Sequence, residues 1–212
     1  MIARRAEEIT PFIVMEVLER ARELERQGVD VIHLEVGEPD FDVPLAVKEA
    51  TRKALDLGLT HYTHSLGDLE LREAICRHYE KTYGVFIKPE QVVVTSGTSP
   101  AMMLVFSVLL ERGQEVVLSD PGYSCYPNFI SFLGGVPVRV PVYEKDGFQL
   151  RAEAIRERIG DQTRAILINS PSNPTGNLLS GENMKAIAGL GPYIISDEIY
   201  HGLVYEGKEH SI

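Results

Sequence analysis

The sequence predicts an α/β fold, a three-layer sandwich built on a mainly parallel sheet. Three observations carry that prediction. Short β-branched runs such as 165–169 and 193–196 read as strands buried on both faces. Segments with apolar residues at helical spacing separate those runs, and strand–helix alternation favours a parallel sheet. Two of the runs end abruptly in polar residues, Asn169-Ser170-Pro171-Ser172-Asn173-Pro174 and Ser196-Asp197-Glu198-Ile199-Tyr200. Ligands in open α/β sheets collect beyond the carboxyl ends of strands, where these residues fall.

The elements follow in order. Residues 1–13 read as an arm ending at Pro11-Phe12-Ile13. Val14, Val17, Leu18, Ala21 and Leu24 form a helical stripe over 14–27, stopped by Gly28. A strand is expected over 31–36, then a turn-rich stretch to Pro44 and a helix over 45–57. Residues 61–67 read as a loop and 68–83 as a helix. Beyond them, strands are expected over 92–95, 115–118, 136–140, 165–169 and 193–196. Helices are expected over 99–111, 122–133, 151–159 and 180–188.

Composition narrows the function classes. The 212 residues are 44% apolar and 25% charged, with a formal net charge of -10. Such a balance leaves no basic surface for nucleic acid or an anionic membrane. The two cysteines, Cys76 and Cys125, fit a reducing compartment and no disulfide framework. No signal peptide and no bilayer-length apolar run is present, so a cytoplasmic protein is expected. His61 and His64 have helical metal-ligand spacing, but no third ligand accompanies them, and no metal site is predicted.

Several stretches carry chemistry. Thr95-Ser96-Gly97-Thr98-Ser99-Pro100 joins an expected strand to a helix, and the free amides of such a turn suit an anion, most naturally a phosphate. It contains neither a Walker loop nor a dinucleotide fingerprint. Asp120-Pro121-Gly122-Tyr123-Ser124-Cys125-Tyr126-Pro127 follows another strand, placing an aromatic ring where it could stack on a planar ligand. Pro171 and Pro174 restrict the backbone around Asn173 and present its amide from a stiff loop. Asp197 ends a buried strand, and a carboxylate there is costly unless a cation meets it.

Taken in order, GEPDF (37–41), YTHSLGDLELREAI (62–75), VTSGTSPA (94–101), DPGYSCYP (120–127), NSPSNPTG (169–176) and SDEIY (196–200) resemble the fold type I pyridoxal-phosphate enzymes, specifically the aspartate-aminotransferase-like class I/II family. The resemblance covers nearly the whole chain. It implies a pyridoxal 5'-phosphate cofactor and transamination between an amino acid and a 2-oxo acid. By that resemblance, Thr98, Ser99 and the amides around Gly97 would hold the cofactor phosphate, and Tyr123 would stack on the ring. Asp197 would pair with the protonated ring nitrogen, and Asn173 and Tyr200 would hydrogen-bond the ring's phenolate oxygen. Asp197 and Tyr200 are thus the catalytic candidates. Tyr62 would reach the phosphate of a neighbouring subunit, implying a homodimer. Gly37, with Asn173, would lie against the bound amino acid. A lysine that some relatives carry at the position of Ser99, where it helps bind a second carboxylate, is missing here.

The same resemblance implies a division at residue 45: an N-terminal arm and part of a small domain before it, and the cofactor-binding large domain over 46–212. It also implies a truncated chain. The family's Schiff-base lysine follows the SDEIY motif in a serine-rich context, and none of Lys48, Lys53, Lys81, Lys88, Lys145, Lys185 and Lys208 has that context. These 212 residues are therefore expected to be the amino-terminal half of such an enzyme, inactive alone and with a sheet incomplete on its C-terminal side. The alternatives are a pyridoxal-phosphate-dependent carbon–sulfur β-lyase, which would use the same binding shell, and a non-catalytic fragment or binding module.

Overall fold

Four strands form one all-parallel sheet: β1 (Glu115–Asp120), β2 (Val136–Pro141), β3 (Thr163–Asn169) and β4 (Tyr193–Asp197), in the order β2-β1-β3-β4. The computed structural model describes residues 2–39 and 41–212. Eight helices accompany the sheet among the described residues: α1 (Arg4–Glu8), α2 (Ile13–Arg26), α3 (Leu45–Asp56), α4 (Leu69–Tyr83), α5 (Thr98–Leu109), α6 (Cys125–Phe132), α7 (Ala152–Arg156) and α8 (Gly181–Ala188). None of them is long and apolar enough to cross a membrane. The chain divides into two units, one of residues up to Thr10 with Thr95–Ile212, the other Pro11–Val94.

Alternation along the strands makes the layers. Val116 and Leu118 of β1, Ala165 and Leu167 of β3 and Ile195 of β4 pack with Met102 and Phe106 of α5 and Tyr126 and Ile130 of α6. Their neighbours Val117, Ile166 and Ile168 face the other way, onto Ile155 of α7 and Met184 and Ile187 of α8. Both sides of each central strand are therefore covered, and the β-branched runs are the consequence. Side chains such as Ile166 and Ile187, with no exposed surface, each contribute on the order of 1.5–3 kcal/mol by leaving water. The expected three-layer α/β sandwich with a parallel sheet is what the chain forms.

Strand order decides where a ligand can sit. From β1 the chain moves outward to β2, then crosses back over β1 to lay β3 on its other side. The connections reverse between β1 and β3, and a crevice opens beyond the carboxyl ends of strands at such a reversal. The loops after β1, β3 and β4 all leave at that end.

The second unit is held by helix ends and one buried cation. Asp68 caps α4, its Oδ1 accepting from the amides of Glu70 at 2.9 Å and Leu71 at 3.3 Å, and Gly84 closes that helix in the left-handed conformation. Arg72 is buried, with Nε donating to the carbonyl of Gly67 at 3.1 Å and Nη1 to that of Pro89 at 2.9 Å. Two expected strands do not form. Residues 31–36 alternate correctly, yet Ile32 and Leu34 stand 84% and 89% exposed and no ladder partner lies beside them among the described residues. Residues 92–95 follow a 3-10 turn (Pro89–Gln91), and the amide of Val94 goes to the carbonyl of Leu66 at 2.9 Å. A β-branched run becomes a strand only where a neighbour completes its hydrogen bonds. Asp40, in the GEPDF turn, lies outside the described residues.

Candidate functional site

At the carboxyl end of the sheet, eight side chains line an open cavity of about 360 Å³: Thr98, Tyr123, Tyr126, Asn169, Asn173, Asp197, Ile199 and Tyr200. Each arrives there for a local reason. Gly97, at φ 98° and ψ 178°, turns the chain into α5 in a conformation open only to glycine, and Thr98 and Ser99 follow as the exposed first residues of that helix. The N-cap residue Gly97 has no side chain to cap the amides of this first turn, and Thr95 Oγ1 donates to the carbonyl of Gly97 at 2.7 Å. After β1 the chain passes close over its own strand: a side chain in place of Gly122 would meet the carbonyl of Ser119 at 2.8 Å. That close turn brings Tyr123 and Tyr126 to the cavity.

Asp197 is the centre. It is the last residue of β4 and only 7% exposed. Its Oδ2 accepts from the hydroxyl of Tyr126 at 2.7 Å, and its Oδ1 from the amide of Ile199 at 3.1 Å. Burial, and after it the hydrogen bond to this carboxylate, push the Tyr126 hydroxyl far above the ordinary tyrosine range, so it remains a donor. The Tyr123 ring meets that of Tyr126 edge-on, centroids 5.1 Å apart and planes at 78°. Burial chiefly, and then contact with Cys125, raise the Tyr123 hydroxyl as well. Across the cavity Asn173 Nδ2 donates to the hydroxyl of Tyr200 at 3.2 Å.

Five of the residues expected from the sequence therefore share one cavity: Thr98, Tyr123, Asn173, Asp197 and Tyr200. Gly97 and Ser99 flank Thr98 without lining it. Tyr62 and Gly37 belong to the other unit. There the Tyr62 side chain is fully exposed, and open space surrounds Gly37. Three lining residues, Tyr126, Asn169 and Ile199, had no role assigned from the sequence. Tyr126 was legible in principle, since it lies three residues beyond Tyr123 in the helix expected over 122–133, where the two would share a face. Asn169 ends β3 directly opposite Asp197 in the ladder, a pairing that no local pattern reveals.

The donor set suits a planar, anionic, nitrogen-containing ligand. The uncapped helix start accepts an anion, the half-buried ring offers a stacking face, and the buried carboxylate calls for a cation. No lysine lines the cavity.

Comparison with known proteins identifies the family. Residues 29–211 match the model of the family described as aminotransferase class I and II. The chain is 43% identical over 211 residues to a (5-formylfuran-3-yl)methyl phosphate transaminase of Methanocaldococcus jannaschii, covering 100% of this chain and 55% of that protein. It is 40% identical to the aspartate/prephenate aminotransferase of Thermus thermophilus, over 99% of this chain and 56% of the relative. The solved structure of aspartate aminotransferase from Thermus thermophilus with maleate superposes with a TM-score of 0.97 at 40% identity, over 100% of this chain and 56% of the other. The chain thus spans about half the length of the curated relatives it matches. With a family match over most of its residues and a fold that superposes so closely, the chain belongs to the class I and II aminotransferases.

Proposed function

We propose that the protein carrying this chain is a pyridoxal-phosphate-dependent aminotransferase that exchanges the amino group between an amino acid and a 2-oxo acid. Enzymes of this class are generally pyridoxal-phosphate-dependent. The observation that carries the reading is the buried Asp197 carboxylate at the end of β4, facing a cavity shared with Tyr123, Asn173 and Tyr200. When bound, pyridoxal phosphate supplies an electron sink for the electrons left by the substrate's α-proton. The residues of this chain bind and orient it.

Thr98, Ser99 and the amides after Gly97 bind the phosphate at the start of α5. Tyr123 packs on the ring face. Asp197 holds a proton at the ring nitrogen, and its hydrogen bonds from Tyr126 and Ile199 keep the carboxylate aimed. Asn173 and Tyr200 donate to the ring oxygen. Tyr62 serves the phosphate of a second subunit in a homodimer, and Gly37 and Asn173 lie against the amino acid. A cytoplasmic location and a division at residue 45, with an N-terminal arm and part of a small domain over 1–45 and the cofactor-binding large domain over 46–212, complete the proposal.

The test is a half-reaction. The protein carrying this chain, loaded with pyridoxal phosphate and given an amino acid without an acceptor, should release about one equivalent of 2-oxo acid per site and retain the amino group as pyridoxamine phosphate. Continuous release of ammonia with the oxo acid would mark an eliminating enzyme instead.

A further inference from the structure

The last residues of β3 and β4 stand opposite each other, Asn169 beside Asp197. The backbone carbonyl of Asp197 accepts two hydrogen bonds from the β3 side, the amide of Ser170 at 3.2 Å and the side-chain Nδ2 of Asn169 at 3.0 Å. The other end of the same carboxamide turns to the loop that follows, where Asn169 Oδ1 accepts the amide of Asn173 at 2.7 Å. Asn173 in turn holds the Tyr200 hydroxyl at 3.2 Å. One planar group thus joins the residue that carries the buried carboxylate to the residue that carries the amide across the cavity. A donor and an acceptor on one short, flat side chain are what this bridge needs, and a carboxamide is the side chain that supplies both at this length.

We propose that Asn169 is a positioning residue: its carboxamide sets the spacing between Asp197 and the Asn173–Tyr200 pair, and so the place of the ring bound between them. This rests on the pyridoxal-phosphate reading of the site. Under that reading Asp197 and the Asn173–Tyr200 pair serve two atoms of one rigid ring, and rotation of the ring cannot absorb an error in their spacing. The Asn169 oxygen and one of its two amide hydrogens are engaged by protein groups, and through these two bonds the residue acts on its neighbours.

Two substitutions separate its two hydrogen bonds. Asn169→Ala removes both, whereas Asn169→Asp keeps the acceptor for Asn173 and loses the donor to Asp197. Both are made in the protein carrying this chain. The first measurement needs no cofactor: hydrogen exchange at the Asn173 amide, read by mass spectrometry, should quicken about tenfold in the alanine variant, the scale of one lost hydrogen bond. It should stay near wild type in the aspartate variant. The second is the dissociation constant of pyridoxal phosphate, which should rise about tenfold or more in both variants, measured at a temperature well below each variant's own unfolding midpoint. Unchanged exchange in Asn169→Ala would overturn the bridge. Quickened exchange with wild-type affinity in both variants would overturn the positioning role and leave only a structural turn. If the alanine variant does not fold, the affinity of the aspartate variant decides the matter. Failure of the wild type itself to bind pyridoxal phosphate would instead sink the cofactor reading, with the exchange result still deciding whether Asn169 holds Asn173.

Discussion

Tyr126 and Asp197, 71 residues apart in sequence, share a buried hydrogen bond of 2.7 Å from phenol to carboxylate. The contact ties the start of α6 to the end of β4 across the intervening β3. Tyr126→Phe removes the donor, keeps the ring and leaves Asp197 Oδ2 short of a partner. A hydrogen bond to a charged group contributes about 1.5–3 kcal/mol, so the variant should lose stability on that scale in denaturant unfolding without cofactor. A wild-type unfolding midpoint would show that the carboxylate finds another donor.

Asp197→Asn keeps the size and much of the hydrogen bonding at that position and removes the charge. If the carboxylate holds a proton on the bound ring, turnover should fall about 10²–10³-fold, the scale on which a placed electrostatic group acts. Binding of pyridoxal phosphate should fall far less, because the phosphate cradle at α5 is untouched. Steady-state kinetics beside a cofactor titration separate the two effects, and near-normal turnover would take Asp197 out of its role.

Tyr123 offers its ring to the cavity, and its hydroxyl is engaged with Cys125. Stacking predicts that Tyr123→Phe leaves pyridoxal phosphate affinity close to wild type. Tyr123→Ala should weaken binding by about 1–2 kcal/mol, an aromatic pair plus some buried area. Equal losses in both variants would assign the effect to the hydroxyl instead.

In the second unit His33 lies between two carboxylates, Nδ1 2.6 Å from Glu35 Oε1 and Nε2 3.0 Å from Glu25 Oε1. The hydrogen bond to Glu25, then that to Glu35, raise the His33 pKa above its ordinary 6.5. The bond to His33 lowers that of Glu35 below 4.5. The sign follows from linkage. The contribution of His33 is fully present below pH 6.5 and fades as pH rises through its raised value. That of Glu35 is fully present above pH 4.5 and fades as pH falls through its lowered one. The contact that fastens 33–35 to the end of α2 is therefore strongest between these limits. A ring titration of His33 followed by NMR should give a midpoint above 6.5 that returns toward 6.5 in the Glu25→Gln, Glu35→Gln double variant. A midpoint unmoved by the double substitution would dissolve the contact.

Local pattern made the layered core legible because burial on both faces writes itself as a β-branched run: β1, β3 and β4 stand where those runs fall. The same signal misled at 31–36 and 92–95, where the run is present and the pairing neighbour is not, since pairing is a property of two segments and the pattern of one. At the site, Asp197 and Asn173 stood out because a carboxylate or a proline-bracketed amide at a strand end is locally odd. Tyr126 and Asn169 are locally ordinary. Their importance lies in a 71-residue hydrogen bond and a cross-strand carboxamide, both set by strand order and register.

The cavity supplies hydrogen-bond and stacking groups but no amine. None of the seven lysines lines it; Lys145, the lysine of the turn after β2, lies over the Tyr143 ring at 5.6 Å. A primary amine within reach is what lets a protein hold an aldehyde cofactor covalently. Residues 1–212 expressed by themselves should therefore bind pyridoxal phosphate reversibly and fail to transaminate. Borohydride treatment followed by denaturing dialysis should leave no cofactor attached at a stoichiometric, specific site. The fragment should also associate nonspecifically, because β4 has an open edge and Val108 of α5 stands 84% exposed. Peptide mapping after reduction, with the visible spectrum and a transamination assay, tests the whole statement. One modified lysine per chain together with measurable turnover would show that an amine from these residues reaches the ring, and that the cavity closes around the cofactor in a way its lining residues do not reveal.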